Sequence, residues 1–213
     1  MKKITVKEMR HDGLVDAVAT TASFMRRYRA AALVLGIILV AGAVIFAAVS
    51  YHTAGTIARA ETELGAARSR EDLRAVFDRY PDTPAAPLAL IQLAAALYDA
   101  GEFDQARDTY RLFIGRYAAH RLAPFAQMGA AYCLESAGKL EEALAGYGRI
   151  GERYPGSSLE PEAGVNRGRC LVRLGRYDEA LEAYRSVIER FPRTMYAGLA
   201  REELVSLLSE IST

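Results

Sequence analysis

The stretch "KLEEALAGYGRIGERYP" occupies residues 139–155, and 37 residues later the chain repeats it as "RYDEALEAYRSVIERFP" over residues 176–192. A period of this size marks stacked helical units, each too small to bury its apolar face alone. The register extends well beyond that pair. Gly101, Gly138 and Gly175 recur at the same interval, as do Ala106, Ala143 and Ala180, and Tyr110, Tyr147 and Tyr184. Tyr80, Tyr117, Tyr154 and Phe191 carry the series one step earlier. Pro87, Pro124 and Pro161 keep the interval too, each opening an apolar-periodic stretch where the missing N–H is harmless and the fixed φ suits a first helical turn.

Each unit therefore reads as a helix of about thirteen residues, a turn at the Gly and a second helix ending at the aromatic. "GEFDQA", "GKLEEA" and "GRYDEA" are three copies of that turn. Gly takes the left-handed conformation that ends one helix, and the acid that follows suits the start of the next. In the second helix the Ala and the Tyr four residues later share a face, so a small residue leaves room for a bulky one. Upstream, "SREDLRAVFDRYP" over residues 69–81 matches a second helix alone, with Leu73, Val76 and Tyr80 in register and Ser69 as N-cap ahead of Asp72. Residues 52–68 are expected to form a helical connector or the missing first helix. Downstream, "AGLAREELVSLLSEI" over residues 197–211 reads as a first helix without a partner. Its Arg201, Glu202, Glu203 and Glu210 suit a helix that caps a stack against water.

These residues resemble the tetratricopeptide repeat family. A small residue sits mid-way in each first helix (Ala94, Ala131, Gly168), followed by the Gly turn, Phe103, Leu140 or Tyr177, and then the Ala, the Tyr and the terminal aromatic. The resemblance covers residues 69–213 and implies an all-α fold: a right-handed superhelical solenoid of about three full repeats, preceded by a half-repeat and closed by a capping helix. The period exceeds the family's usual value of about 34, the extra residues falling in the turn between repeats, as in "YPGSSLEP". Leu90, Gln127 and Gly164 stand where an early aromatic is usual.

In this family the first helices line a binding groove. The matching positions are Leu88, Ile91, Ala95, Tyr98 and Asp99 in one repeat, and Phe125, Met128, Tyr132, Glu135 and Ser136 in the next. Glu162, Val165, Arg169, Val172 and Arg173 follow in the third. Leu88, Ile91, Tyr98, Phe125, Met128 and Tyr132 are expected to supply apolar contact, with Val165 also in the groove and Arg169 and Arg173 favouring acidic flanks. The paired Lys and Asn that clamp a chain terminus in some members are absent here, so recognition of a C-terminal carboxylate is not expected.

Ahead of the repeats lies "AAALVLGIILVAGAVIFAAVSY", residues 30–51, free of charge. As a helix it spans roughly 33 Å, enough for a hydrocarbon core of about 30 Å. It is predicted to cross a membrane. Twenty-nine residues precede it, a poor match to a cleaved signal with its short basic start. Arg26, Arg27 and Arg29 flank its start, whereas the next basic residue is Arg59. Basic flanks stay in the cytoplasm, so residues 1–29 are expected inside and the repeats outside, on the periplasmic side of a bacterial inner membrane. Within residues 12–28, Leu14, Val18 and Met25 fall near one helical face, suiting either an inner-surface amphipathic helix or a partner-binding segment.

Chemistry beyond binding finds no foothold. Residues 1–29 hold seven basic and three acidic residues, leaving 20 basic and 23 acidic for the rest, a balance unsuited to nucleic acid. His11, His52 and His120 are scattered, so no metal cluster is expected. Cys133 and Cys170 lie one period apart, and helices packed about 8–10 Å apart leave their Cα atoms too distant for a disulfide. No nucleophile elbow or Gly-rich phosphate loop occurs. The chain is predicted to be an adaptor that binds other proteins, with neither enzymatic activity nor cofactor. An N-terminal basic segment, one span and repeats of this kind are similar to bacterial envelope members of the family, among them the ancillary subunit of the Sec translocon. That likeness implies a chaperone-like role toward secreted clients. A stable docking scaffold for division or outer-membrane assembly, or a self-associating scaffold, stays open beside it.

Overall fold

The computed structural model describes residues 6–212, with side chains described from Arg27 onward except at Ala32. His11 and the face expected at Leu14, Val18 and Met25 lie outside the described side chains. Nine helices and no strand occur among the described residues: α1 (Val6–Ala66), α2 (Arg70–Arg79), α3 (Ala85–Asp99), α4 (Phe103–Arg116), α5 (Ala123–Ser136), α6 (Leu140–Arg153), α7 (Glu160–Arg173), α8 (Tyr177–Arg190) and α9 (Met195–Ile211). They fall into two compact units, Met1–Gly55 and Thr56–Thr213.

In the first unit, the described part of α1 is apolar and bare. Leu33, Ile37, Leu39, Ile45 and Phe46 are all more than half exposed. Arg27–Ala66 is the one described helix long and apolar enough to cross a membrane, judged by length and composition, and none of its most apolar window is buried.

The second unit is a stack in which each helix packs on the next in the chain. Its pairs are α3 with α4, α5 with α6 and α7 with α8, and α9 packs on both α7 and α8. Residues 56–66 of α1 lie against α2. Ala60 is fully buried, Leu64 packs on the same core, and the Tyr80 hydroxyl donates to Glu63 at 2.6 Å. α2 begins with the capping box expected at Ser69: its side chain accepts from the Asp72 N–H, and the Asp72 carboxylate accepts from the Ser69 N–H at 3.0 Å.

The three turns are the same structure repeated. Gly101, Gly138 and Gly175 have φ near +75°, at 77°, 73° and 72°, a region costly for any residue with a Cβ. The residue after each Gly donates back to the first helix, Glu102 to Leu97, Lys139 to Leu134 and Arg176 to Leu171, all at 2.9 Å, which satisfies carbonyls the helix end would otherwise leave open. The first helices start earlier than predicted, because Pro124 and Pro161 occupy the second helical residue and Pro87 the third. Nothing is lost, since first-turn N–H groups have no intrahelical acceptor.

The expected small-for-large exchange builds the core. Ala106, Ala143 and Ala180 are fully buried, and Tyr110, Tyr147 and Tyr184 are at most 5% exposed. Tyr184 lies directly on Gly168, where a Cβ would sit 2.3 Å from its ring. Gln127, in place of the early aromatic, is buried with its amide donating to the Gly146 carbonyl at 3.2 Å. α9 covers α7 as the capping helix was predicted to do, with Ala197, Ala200 and Leu207 buried, but its outer side keeps Val205, Leu208 and Ile211 exposed.

Candidate functional site

Predicted groove positions on the first helices α3, α5 and α7 lie on a face that a chain of side-chain hydrogen bonds ties together and extends to α9. Between α3 and α5, the Tyr98 hydroxyl and Ser136 Oγ are 2.9 Å apart. Between α5 and α7, Tyr132 donates to Glu162 at 2.5 Å and accepts from Asn166 at 3.0 Å. Tyr196 of α9 donates to the other oxygen of Glu162 at 2.9 Å. Glu135 works the same way, accepting from the Tyr147 hydroxyl at 2.6 Å and from Arg173 at 3.1 Å. Burial first, then the bond to a glutamate, raises the Tyr132 and Tyr147 phenols above their ordinary range, so both stay protonated donors. In the next repeat Val172 replaces Glu135, and the Tyr184 hydroxyl is buried without a hydrogen-bond partner among the described residues.

Within this polar frame lies an apolar recess of about 240 Å³, lined by Tyr98, Tyr110, Phe125, Met128, Gly129 and Tyr132. Phe125 stands at 47% exposure, whereas Tyr110 and Met128 are buried. Tyr110 packs flat against the backbone at Gly129, where a Cβ would come within 2.4 Å of the ring. The volume is below the roughly 300–1,000 Å³ of small-molecule pockets and fits a protruding apolar side chain better than a cofactor.

Of the predicted groove residues, the structure gathers Tyr98, Phe125, Met128 and Tyr132 at this recess, with Leu88 and Ile91 half-buried on α3. Met128 is 3% exposed and forms the interior of the recess. Three differ from the sequence reading. Val165 is 1% exposed, because it joins the core that α8 and α9 build against α7. Arg169 is held by Glu203 of α9 at 2.7 Å, and Arg173 by Glu135, so neither stands free for an acidic flank. Tyr110 and Gly129 were missed. The 37-residue register carries Tyr110 as a core residue, and nothing in it signals that Gly129 is the surface on which the ring lies.

Other reactive groups are quiet. Cys133 and Cys170 are buried free thiols, and burial pushes them up to about 11 and about 12, which leaves little thiolate near neutral pH. His120 Nδ1 accepts from the Leu122 N–H at 3.2 Å. No group of three His, Cys, Asp or Glu placed to hold a metal occurs among the described residues.

A stack of helix pairs with a recess on its first-helix face defines a helical-repeat scaffold for protein–protein interaction. The chain belongs to the tetratricopeptide repeat-like domain family, whose model matches residues 24–205 and so takes in the apolar run as well as the repeats. Solved structures of similar fold include a tetratricopeptide repeat protein from Parabacteroides merdae, at a TM-score of 0.55 and 19% identity over 73% of this chain and 60% of that one. They also include the type III secretion translocator chaperone SycD of Yersinia enterocolitica, with TM-score 0.50 and 16% identity, covering 60% of this chain and 87% of that one. PcrH from Pseudomonas aeruginosa is similar at TM-score 0.50 and 19% identity, over 59% and 93%. At such identities the likeness concerns the fold. No curated protein is significantly similar to this chain in sequence.

Proposed function

We propose that the chain is a membrane-anchored adaptor whose first-helix face takes an apolar side chain from another protein. The observation that carries this reading is the recess at Tyr98, Phe125 and Tyr132: an apolar cavity framed by tyrosine hydroxyls that are already bonded, with Phe125 exposed at its edge. An exposed aromatic beside an unfilled apolar recess is a surface suited to a partner. In this proposal residues 1–29 are cytoplasmic, residues 30–51 cross the inner membrane, residues 52–68 connect, and the repeats of residues 69–213 are periplasmic. The bare apolar helix and the arginines at its start support that orientation. A tether raises effective concentration to roughly millimolar, so weak contacts with segments emerging at the Sec translocon are occupied and still released.

Val205, Leu208 and Ile211, exposed on α9, favour a second reading, in which the chain docks stably in one envelope complex or associates with itself. Photo-crosslinking from Phe125 in intact membranes separates the two. Many heterogeneous secretory clients, lost on Tyr98→Ser, support the adaptor. A single abundant partner or a second copy supports the scaffold, and no crosslink at all rejects the recess as a binding surface.

A further inference from the structure

A second cleft, of about 700 Å³, lies on the opposite side of the repeats between the second helices α4 and α6. Ala130, Ala131 and Leu134 of α5 form its floor beside the Gln127 amide, which is spent on the Gly146 carbonyl, and Ile114 of α4 and Ala145 of α6 add apolar surface. Four arginines line it against two glutamates, and the charges are not evenly mixed. Arg107 is held by Asp104 and Asp108 at 2.7 and 2.9 Å. Glu141 and Glu142 sit in the first turn of α6, about 12 Å along the helix from Arg149. Arg149 and Arg153 are one turn apart on α6. Arg111 of α4 comes level with Gly148 in the 37-residue register, so it lies at the same end. None of these three makes a hydrogen bond or ion pair among the described residues, and all three are exposed.

The neighbouring cleft between α2 and α4, about 780 Å³, is the contrast. There Arg70 is answered by Glu102 at 2.5 Å and Arg74 by Asp78 at 3.0 Å. Free guanidinium groups thus distinguish the α4–α6 cleft from the α2–α4 cleft.

We infer that the α4–α6 cleft is a separate docking site for an acidic, partly apolar segment of a partner protein, independent of the recess on the other face. Guanidinium groups pair carboxylates in a planar, two-point geometry, and Arg111, Arg149 and Arg153 present three such groups around one end. The recessed floor decides the class of ligand. A flat bilayer surface cannot reach Leu134 between two helical walls, and a free phosphate gains nothing from it. A polypeptide with carboxylates at one side and Leu or similar residues at the other uses both features.

The test uses the full chain in nanodiscs of neutral lipid and a fluorescein-labelled peptide of repeating Leu-Glu-Glu-Leu. The peptide is expected to bind at low salt and to weaken as salt is added. Arg149→Glu with Arg153→Glu is expected to lower its affinity roughly tenfold or more. Arg149→Gln with Arg153→Gln should fall between, with an unchanged helical circular dichroism spectrum establishing that the fold is intact. Arg185→Glu, on α8 and lining neither cleft, should bind as the parent does. The inference is overturned if the double Glu variant binds equally well, or if the Lys counterpart of the peptide binds equally. Phosphatidylglycerol vesicles captured through these arginines, in place of the peptide, would overturn it in favour of a lipid surface.

Discussion

On the first-helix face Arg169 and Arg173 are each held by a glutamate from a neighbouring helix, at 2.7 and 3.1 Å, whereas on the second-helix face Arg149 and Arg153 have no ion-pair partner among the described residues. The chain has nearly equal numbers of basic and acidic residues, so the difference lies in placement. On the first-helix face, Glu135, Glu162 and Glu203 tie α5, α6, α7 and α9 together, and the polar atoms are consumed in holding the stack. What remains for a partner is apolar. On the second-helix face the helices are fixed by their buried Ala and Tyr, and although Arg70, Arg74 and Arg107 are paired, Arg111, Arg149 and Arg153 are left to meet something else.

If the first-helix face is structural as well as receptive, substitutions there should cost stability and their counterparts opposite should not. Gly168→Ala and Gly129→Ala drive a methyl into the Tyr184 and Tyr110 rings, and each is expected to lower stability by about 1–3 kcal/mol in thermal unfolding of the full chain in detergent, followed by circular dichroism. Gly129→Ala should weaken crosslinking from Phe125 as well, because displacing Tyr110 alters the recess; Gly168→Ala should not. Glu135→Ala strands the buried Tyr147 hydroxyl and frees Arg173, with an expected loss of about 1–3 kcal/mol. Arg153→Ala, opposite, should stay within about 0.5 kcal/mol.

Smaller effects sharpen the picture away from both faces. Ser69→Ala removes the α2 cap and is expected to cost about 1 kcal/mol. Its partner Asp72 carries a pH signature. Backbone N–H groups of Arg68 and Ser69 hold the Asp72 carboxyl below its ordinary range. Its contribution is therefore complete above the unfolded carboxylate value near about 4 and fades as pH falls through the lower folded value. Asp72→Asn should melt earlier than the parent at neutral pH and converge with it in strong acid. A further small change is a gain: Gly148→Ala, in open space within α6, should add about 0.5 kcal/mol.

The repeat itself was legible because packing imposes it on sequence. A left-handed turn demands Gly at 101, 138 and 175, and a close helix pair demands Ala opposite Tyr, so the period appears as residue identity. The capping box at Ser69 was legible for the same local reason. The recess was legible only in part. Tyr98, Phe125 and Tyr132 follow from counting back from the turn, but the depth of Met128 depends on how α5 rolls against its neighbours. Partnership was the least legible feature. Glu203 lies 34 residues from Arg169, and Arg173 lies 38 from Glu135. Which carboxylate meets which guanidinium depends on the offset between repeats, and Val165 is buried because, although a cap is predicted, counting back from the turn does not say which α7 residues α8 and α9 cover.

The chain has no tryptophan, so Phe125→Trp places a single emitter at the edge of the recess, and Arg149→Trp places one at the opposite cleft. Each variant would be titrated with an uncharged, unstructured peptide containing Leu and Phe. If the first-helix recess is the apolar binding surface, emission at position 125 shifts to the blue and becomes shielded from acrylamide, while emission at position 149 does not change. An unshifted, fully quenchable Trp at position 125 at saturating peptide would contradict the account.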